Sequence, residues 1–181
     1  MTADRRRMML AVAVVVGATV AGLGLLVAAF IGMARHPADS RGSSPDLATS
    51  STTTTSTTAL AAAMREWQSR AGDHFKETAK ALDQVSQGSE HDDDDAVRTG
   101  CQRLHDTNAI GLQADLPTPD PALTAELQRM IDDVNIAAHA CLRFSGSRNQ
   151  DDAATYQTYL ARAVDHLTTA KQILNEDLGK G

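Results

Sequence analysis

The hydrophobic pattern divides the chain into three parts. From Met8 to Ala34 an apolar run of 27 residues carries no charge. At about 1.5 Å of rise per residue, such a helix spans a hydrocarbon core of ~30 Å with some tilt. The run is longer than the h-region of an ordinary cleaved signal peptide, so residues 8–34 are predicted to be a transmembrane signal-anchor. Small residues near its end, Val27-Ala28-Ala29 and Gly32-Met33-Ala34, keep cleavage open as the alternative.

Residues 35–58 follow with no apolar periodicity. They contain Pro37, Gly42, Pro45 and a Ser/Thr run from Ser50 to Thr58. Without a face to bury, nothing offsets the entropy of ordering, and this segment reads as a disordered stalk. Hydroxyl runs of this kind are also substrates for O-glycosylation outside the membrane.

From Ala59 the pattern changes to apolar steps of three and four, the mark of amphipathic helices. The first predicted helix runs over about Ala59–Gln87, with Leu60, Met64, Trp67, Ala71, Phe75, Thr78, Leu82 and Val85 on its stripe; Gly88-Ser89 ends it. The second covers about Asp93–Gln113 and is the weakest, with Val97, Cys101, Leu104, Asn108 and Leu112. Alternate prolines in Leu116-Pro117-Thr118-Pro119-Asp120-Pro121 then stop helix formation. A third helix starts with Asp120 as N-cap and Pro121 at the first helical position. Its stripe is Leu123, Leu127, Met130, Val134, Ala138 and Cys141, and Ser145-Gly146 ends it. The fourth covers about Asp151–Leu178, with Tyr156, Leu160, Ala163, Leu167, Ala170 and Leu174 on one face and Gly179 as its C-cap. No strand pattern competes. The fold class expected for 59–181 is all-α, a four-helix antiparallel bundle-like domain.

Charge refines the picture. Residues 1–58 hold five Arg and three Asp, while 59–181 carry a net charge of −8. Arg5, Arg6 and Arg7 precede the apolar run, and Arg35 and Arg41 follow it. This bias places residues 1–7 in the cytoplasm and the helical domain outside the cytoplasmic membrane, a single-pass topology. An acidic domain without a basic stripe excludes nucleic acid as an expected partner. Ala13, Gly17 and Ala21 form a small-xxx-small ladder through which two transmembrane helices can associate as a homodimer.

The domain holds two cysteines, Cys101 and Cys141, both on predicted buried stripes. In an oxidising compartment they are expected to form a disulfide, worth roughly 3–4 kcal/mol through loop entropy; two separate buried thiols are the alternative. A tight hairpin would set Cys101 level with about residue 133, some 12 Å of rise from Cys141. A bridge therefore requires the second helix to stop near Ile110 or Gly111, with an extended segment from Gly111 to Pro119.

Candidate chemistry is sparse. His91, Asp92, Asp93, Asp94 and Asp95 form a tract dense enough in carboxylate to bind a divalent cation. It lacks the alternating ligands and turn glycine of an EF-hand loop, and reads first as acidic residues favoured at a helix N-terminus. His105 and His139 are weak ligand candidates, with hydrogen-bonded, half-buried side chains as the default. No Glu-x-x-His, His-x3-His, Gly-x-Ser-x-Gly or phosphate-binding glycine loop occurs. Cys101 and His105 have the spacing of a nucleophile–base pair, but an oxidised cysteine cannot serve. No catalytic residue and no cofactor are expected.

Three motifs, Cys101-Gln102-Arg103-Leu104-His105-Asp106, Leu116-Pro117-Thr118-Pro119-Asp120-Pro121-Ala122-Leu123 and His139-Ala140-Cys141-Leu142, together resemble uncharacterised single-pass membrane-anchored proteins of mycobacteria and related actinobacteria. The resemblance covers about residues 59–178. It implies a cell-envelope setting, fits the disulfide, and brings no activity, substrate or cofactor. The expected function is a non-enzymatic cell-envelope protein that presents a helical interaction module to an envelope protein partner; an exposed apolar patch of several hundred Å² would support it, and a uniformly polar surface would count against it. A small-molecule or lipid-binding domain is the alternative, and would need an apolar cavity of at least about 300 Å³. A divalent-metal-binding protein using the acidic tract is a minor one.

Overall fold

The computed structural model describes residues 51–179. The predicted transmembrane helix 8–34, its flanking arginines and the first part of the predicted stalk lie outside the described residues. None of the described helices is long and apolar enough to cross a membrane.

The described residues form four helices: α1 (Ser51–Glu90), α2 (Asp94–Asp106), α3 (Pro121–Ser147) and α4 (Gln150–Gly179). A π-helical segment, Thr107–Leu112, continues α2 without a break. Each helix packs on its predecessor, and α4 returns onto α1, closing a bundle. The core follows the predicted stripes. Met64, Trp67, Ala71, Phe75, Leu82 and Val85 of α1 are buried with Cys101 and Leu104, with Leu123, Leu127, Met130 and Val134, and with Tyr156, Leu160, Leu167 and Leu174. Full burial of each large apolar side chain contributes roughly 1.5–3 kcal/mol.

Several boundaries depart from the sequence reading. The helix α1 begins at Ser51, so the end of the Ser/Thr run is helical rather than stalk. Once the packed turns from Ala61 onward nucleate it, each added residue gains a hydrogen bond without a new nucleation cost. At its other end α1 runs through Gly88 to Glu90. Gly88 does not stop the helix; it admits α2. A Cβ there would stand 2.8 Å from the Val97 backbone nitrogen, and one on Gly100 would stand 2.9 Å from that of Val85. The α1–α2 crossing is thus a backbone-to-backbone approach that only glycine permits. Asp92, at φ 56°, takes the left-handed turn position instead. Likewise α3 continues through Gly146 to Ser147, and Arg148, at φ 58°, caps it. Gly179 is the last helical residue of α4 rather than its cap.

The starts of α2 and α3 are capped as the sequence indicates. Asp93 accepts a hydrogen bond from the Ala96 backbone amide (2.9 Å), and Asp120 accepts one from that of Leu123 (2.7 Å). Such caps are worth about 1 kcal/mol each.

Cys101 and Cys141 are bonded, with Cα atoms 5.8 Å apart, but not by the route the spacing suggested. The second helix does not stop at Ile110 or Gly111; it runs through the π segment to Ala114. The offset is absorbed at the other helix. Gln113 pairs with Gln128, seven residues into α3, and Asn108 reaches Ile131 and Asn135. The first turns of α3, about 10 Å of rise, therefore project past the end of the second helix. The connection Asp115–Asp120 runs back along them, tied by Thr118 Oγ1 donating to the Asp120 carbonyl (2.6 Å) and by the Thr118 amide donating to Thr124 Oγ1 (2.9 Å).

Candidate functional site

The α2–α3 seam carries the residues that the sequence marked. One turn along α2 from Cys101 lies His105, and two residues before Cys141 on α3 lies His139. Their rings face each other with centroids 4.8 Å apart and planes tilted by 59°. His105 Nδ1 lies 3.1 Å from Asp106 Oδ1, which also accepts a hydrogen bond from Gln102 Nε2 at 3.0 Å. His139 is exposed and makes no hydrogen bond within the described residues, contrary to the default expected of it. Below the pair, Asn108 is fully buried at 0% exposure, and its amide nitrogen donates to the Ile131 carbonyl (2.8 Å) and to Asn135 Oδ1 (3.1 Å).

The π segment sets this end of the seam. Its wider turns keep both Asn108 and Leu112 inward. Gly111 lies against His74 of α1, where a Cβ would come within 2.9 Å of the imidazole. His74 Nδ1 is 2.7 Å from Asp115 Oδ2, and Trp67 Nε1 donates to the Asp115 carbonyl at 2.8 Å. Ile110 is turned outward at 68% exposure.

A second polar cluster, unforeseen in the sequence, joins α3 to α4. Asp133 is only 4% exposed, with Arg162 Nε 3.3 Å and His166 Nε2 3.7 Å from its Oδ2. The other nitrogen of His166 lies 2.8 Å from Glu126 Oε2, and Glu126 also pairs with Arg129. The hydrogen bond to His166 holds the Glu126 carboxyl below the usual glutamate range, against the opposing effect of partial burial, with Arg129 adding to the lowering. Glu126 and Asp133 are seven residues apart and share a face of α3, so the sequence held the signal for the pair. It did not show that α4 would bring Arg162 and His166 to them.

The acidic tract is occupied structurally. Asp93 is the α2 cap, Asp94 pairs with Arg148, and Asp95 lies 3.2 Å from Arg98. His91 Nδ1 is 2.8 Å from the Gln87 carbonyl. Asp92 is exposed in the turn. Among the described residues, no three or more His, Cys, Asp or Glu side chains are grouped to hold a metal ion.

Two hollows bear on ligand binding. An open groove of about 260 Å³ runs along α1 and the start of α2, lined by Lys80, Asp83, Gln84, Gln87, His91 and Asp93. A more enclosed, mainly apolar space beside Tyr156, Cys141 and Phe144 measures about 20 Å³. The Tyr156 hydroxyl is buried without a hydrogen-bond partner, and burial pushes the phenol up. On the outer surface, the exposed large apolar side chains among the described residues are Ile110 and Ile136.

No family model, curated protein or solved structure matches the chain significantly.

Proposed function

We propose that residues 51–181 form a non-enzymatic interaction module of the cell envelope. In this reading the segment 8–34 anchors the chain in the cytoplasmic membrane, residues 1–7 remain inside, and the bundle meets a second envelope protein outside. The observation that favours a binding module over a ligand-binding cavity is the packing of the described helices. The apolar stripes of all four helices are spent on one another, and the space beside Tyr156 is about 20 Å³, far too small for a lipid or cofactor. The exposed surface lacks, among the described residues, the broad apolar patch that would favour an interaction module; with a net charge of −8 over residues 59–181, the partner face in this reading is basic rather than apolar. Ile110 and Ile136, isolated on that surface, are the natural apolar anchors within such a polar contact.

The reading is tested in intact cells. A photocrosslinking residue at Ile110 should give one discrete protein adduct, and the same probe at Lys171 should not. External protease should digest the bundle while sparing an epitope added before Arg5. A protected bundle, or identical crosslinks from both probes, refutes the proposal.

A further inference from the structure

We propose that His105 and His139 form a two-imidazole site for a divalent transition-metal ion on the α2–α3 seam, with Asp106 as its positioning residue.

The first argument is geometric. A zinc-type ion sits about 2.0–2.1 Å from an imidazole nitrogen, and hence about 3.2 Å from the ring centre. Two such rings meeting one ion at angles between ~90° and ~109° have centres about 4.5–5.2 Å apart by the same bond lengths. The observed separation of the His105 and His139 ring centres, 4.8 Å with planes tilted by 59°, falls in that range.

The second argument concerns the tautomer. Ligating histidines commonly donate their other ring N–H to a carboxylate, which fixes the ring and raises its basicity. Here Asp106 Oδ1 lies at Nδ1 of His105, and Gln102 holds that carboxylate from the other side. In the tautomer that donates from Nδ1 to this carboxylate, Nε2 of His105 keeps its lone pair. Within the described residues, no hydrogen bond occupies either nitrogen of His139.

The third argument is rigidity. The two rings stand on different helices, and those helices are joined covalently one turn away by Cys101–Cys141. Asn108 fixes the register on the other side. Two ligands pre-set in this way lose little entropy on binding. Imidazole donors select Cu²⁺, Ni²⁺ or Zn²⁺ over the oxygen-seeking Ca²⁺ and Mg²⁺. With two protein ligands, water completes the coordination and the ion remains exchangeable. The site is separate from the acidic tract, whose carboxylates cap and pair elsewhere.

The test is calorimetric titration of the tag-free, disulfide-intact full chain with Cu²⁺ and with Zn²⁺, using Ca²⁺ as control. One ion should bind per chain, with Cu²⁺ tighter than Zn²⁺ and no heat from Ca²⁺. His105→Ala and His139→Ala should each weaken binding at least tenfold, by loss of one of two ligands. Asp106→Asn should weaken it by about 10- to 100-fold, and His91→Ala should leave it unchanged. His139 is exposed and His105 half-buried, and helix content by circular dichroism verifies that the variants fold. As a second readout, the Cu²⁺ paramagnetic resonance spectrum should show two nitrogen donors in the wild type and one in either single variant. The proposal is overturned if the wild type binds no transition metal, or if binding survives either histidine replacement unchanged.

Discussion

Replacing both Cys101 and Cys141 by alanine separates what the bridge does for stability from what it does for shape. The bond closes a sequence separation of 40 residues, for which the chain-entropy relation gives about 4 kcal/mol of stabilisation, acting through the unfolded state. The two sulfur positions are 0% and 3% exposed, so their loss from a packed core adds about 1 kcal/mol. The sum is a large fraction of the 5–15 kcal/mol typical of a domain. With a urea slope of about 2 kcal/mol per molar for a chain of this size, the midpoint should fall by roughly 2–2.5 M. The native shape should persist, because Asn108–Ile131, Gln113–Gln128 and the Thr118 ties hold the α2–α3 register without the bridge. The assay is urea unfolding of residues 51–181, followed by far-ultraviolet circular dichroism, for the wild type and the double variant. A loss under about 1 kcal/mol would refute the loop-entropy reasoning. Loss of helix content in the absence of urea would refute the claim that the register is set independently.

Other outcomes follow from particular contacts. Gly100→Ala places a methyl group against the Val85 and Ala81 backbone and should destabilise by about 1–3 kcal/mol. Gly72→Ala, with nothing within 4 Å of its added Cβ, should stabilise by roughly 0.5–1 kcal/mol; thermal melts of the pair check the contrast. Glu126 has a folded pKa below its unfolded one because of His166, so its contribution is present above the ordinary glutamate range and lost as pH falls through the folded value. Glu126→Gln should therefore be less stable than wild type at neutral pH, with the gap closing on acidification in denaturant titrations. Tyr156→Phe deletes a buried hydroxyl without a partner and should leave stability unchanged or raise it by about 1 kcal/mol; a loss beyond that in the same titrations would mean that the hydroxyl is satisfied.

The apolar stripes made most of the fold legible. Every stripe residue marked on α3 and α4 is buried, because period and burial are the same fact in a helix with one core. The departures have local causes. Gly88 reads as a stop, yet a glycine's conformational freedom and its small size leave the same trace in a sequence, and only the approach of α2 shows which is in use; Gly146, with nothing within 4 Å of an added Cβ, simply continues the helix. The π segment left no signal: Leu104, Asn108 and Leu112 are spaced four and four, as are the buried Trp67, Ala71 and Phe75 of the regular helix α1. Asp133 stayed invisible because its partners, Arg162 and His166, come from another helix. Of the seam, the cysteines were legible as a pair. The meeting of His105 with His139 depended on a register that the projecting start of α3 determines.

The Cys101–Cys141 bond also governs how the domain yields to force. In the proposed reading, a membrane anchor before residue 51 and a partner held at Ile110 and Ile136, inside the covalent loop, would load the bundle in tension. Of the described domain, the chain between the anchor and the loop, residues 51–100, can then pay out. The 40 residue steps inside the loop would otherwise add at most about 130 Å of contour at some 3.3–3.6 Å per residue. The bridge thus acts as a travel stop, keeping the seam that bears His105 and His139 closed at the Cys101–Cys141 link even after the chain before it has been drawn out.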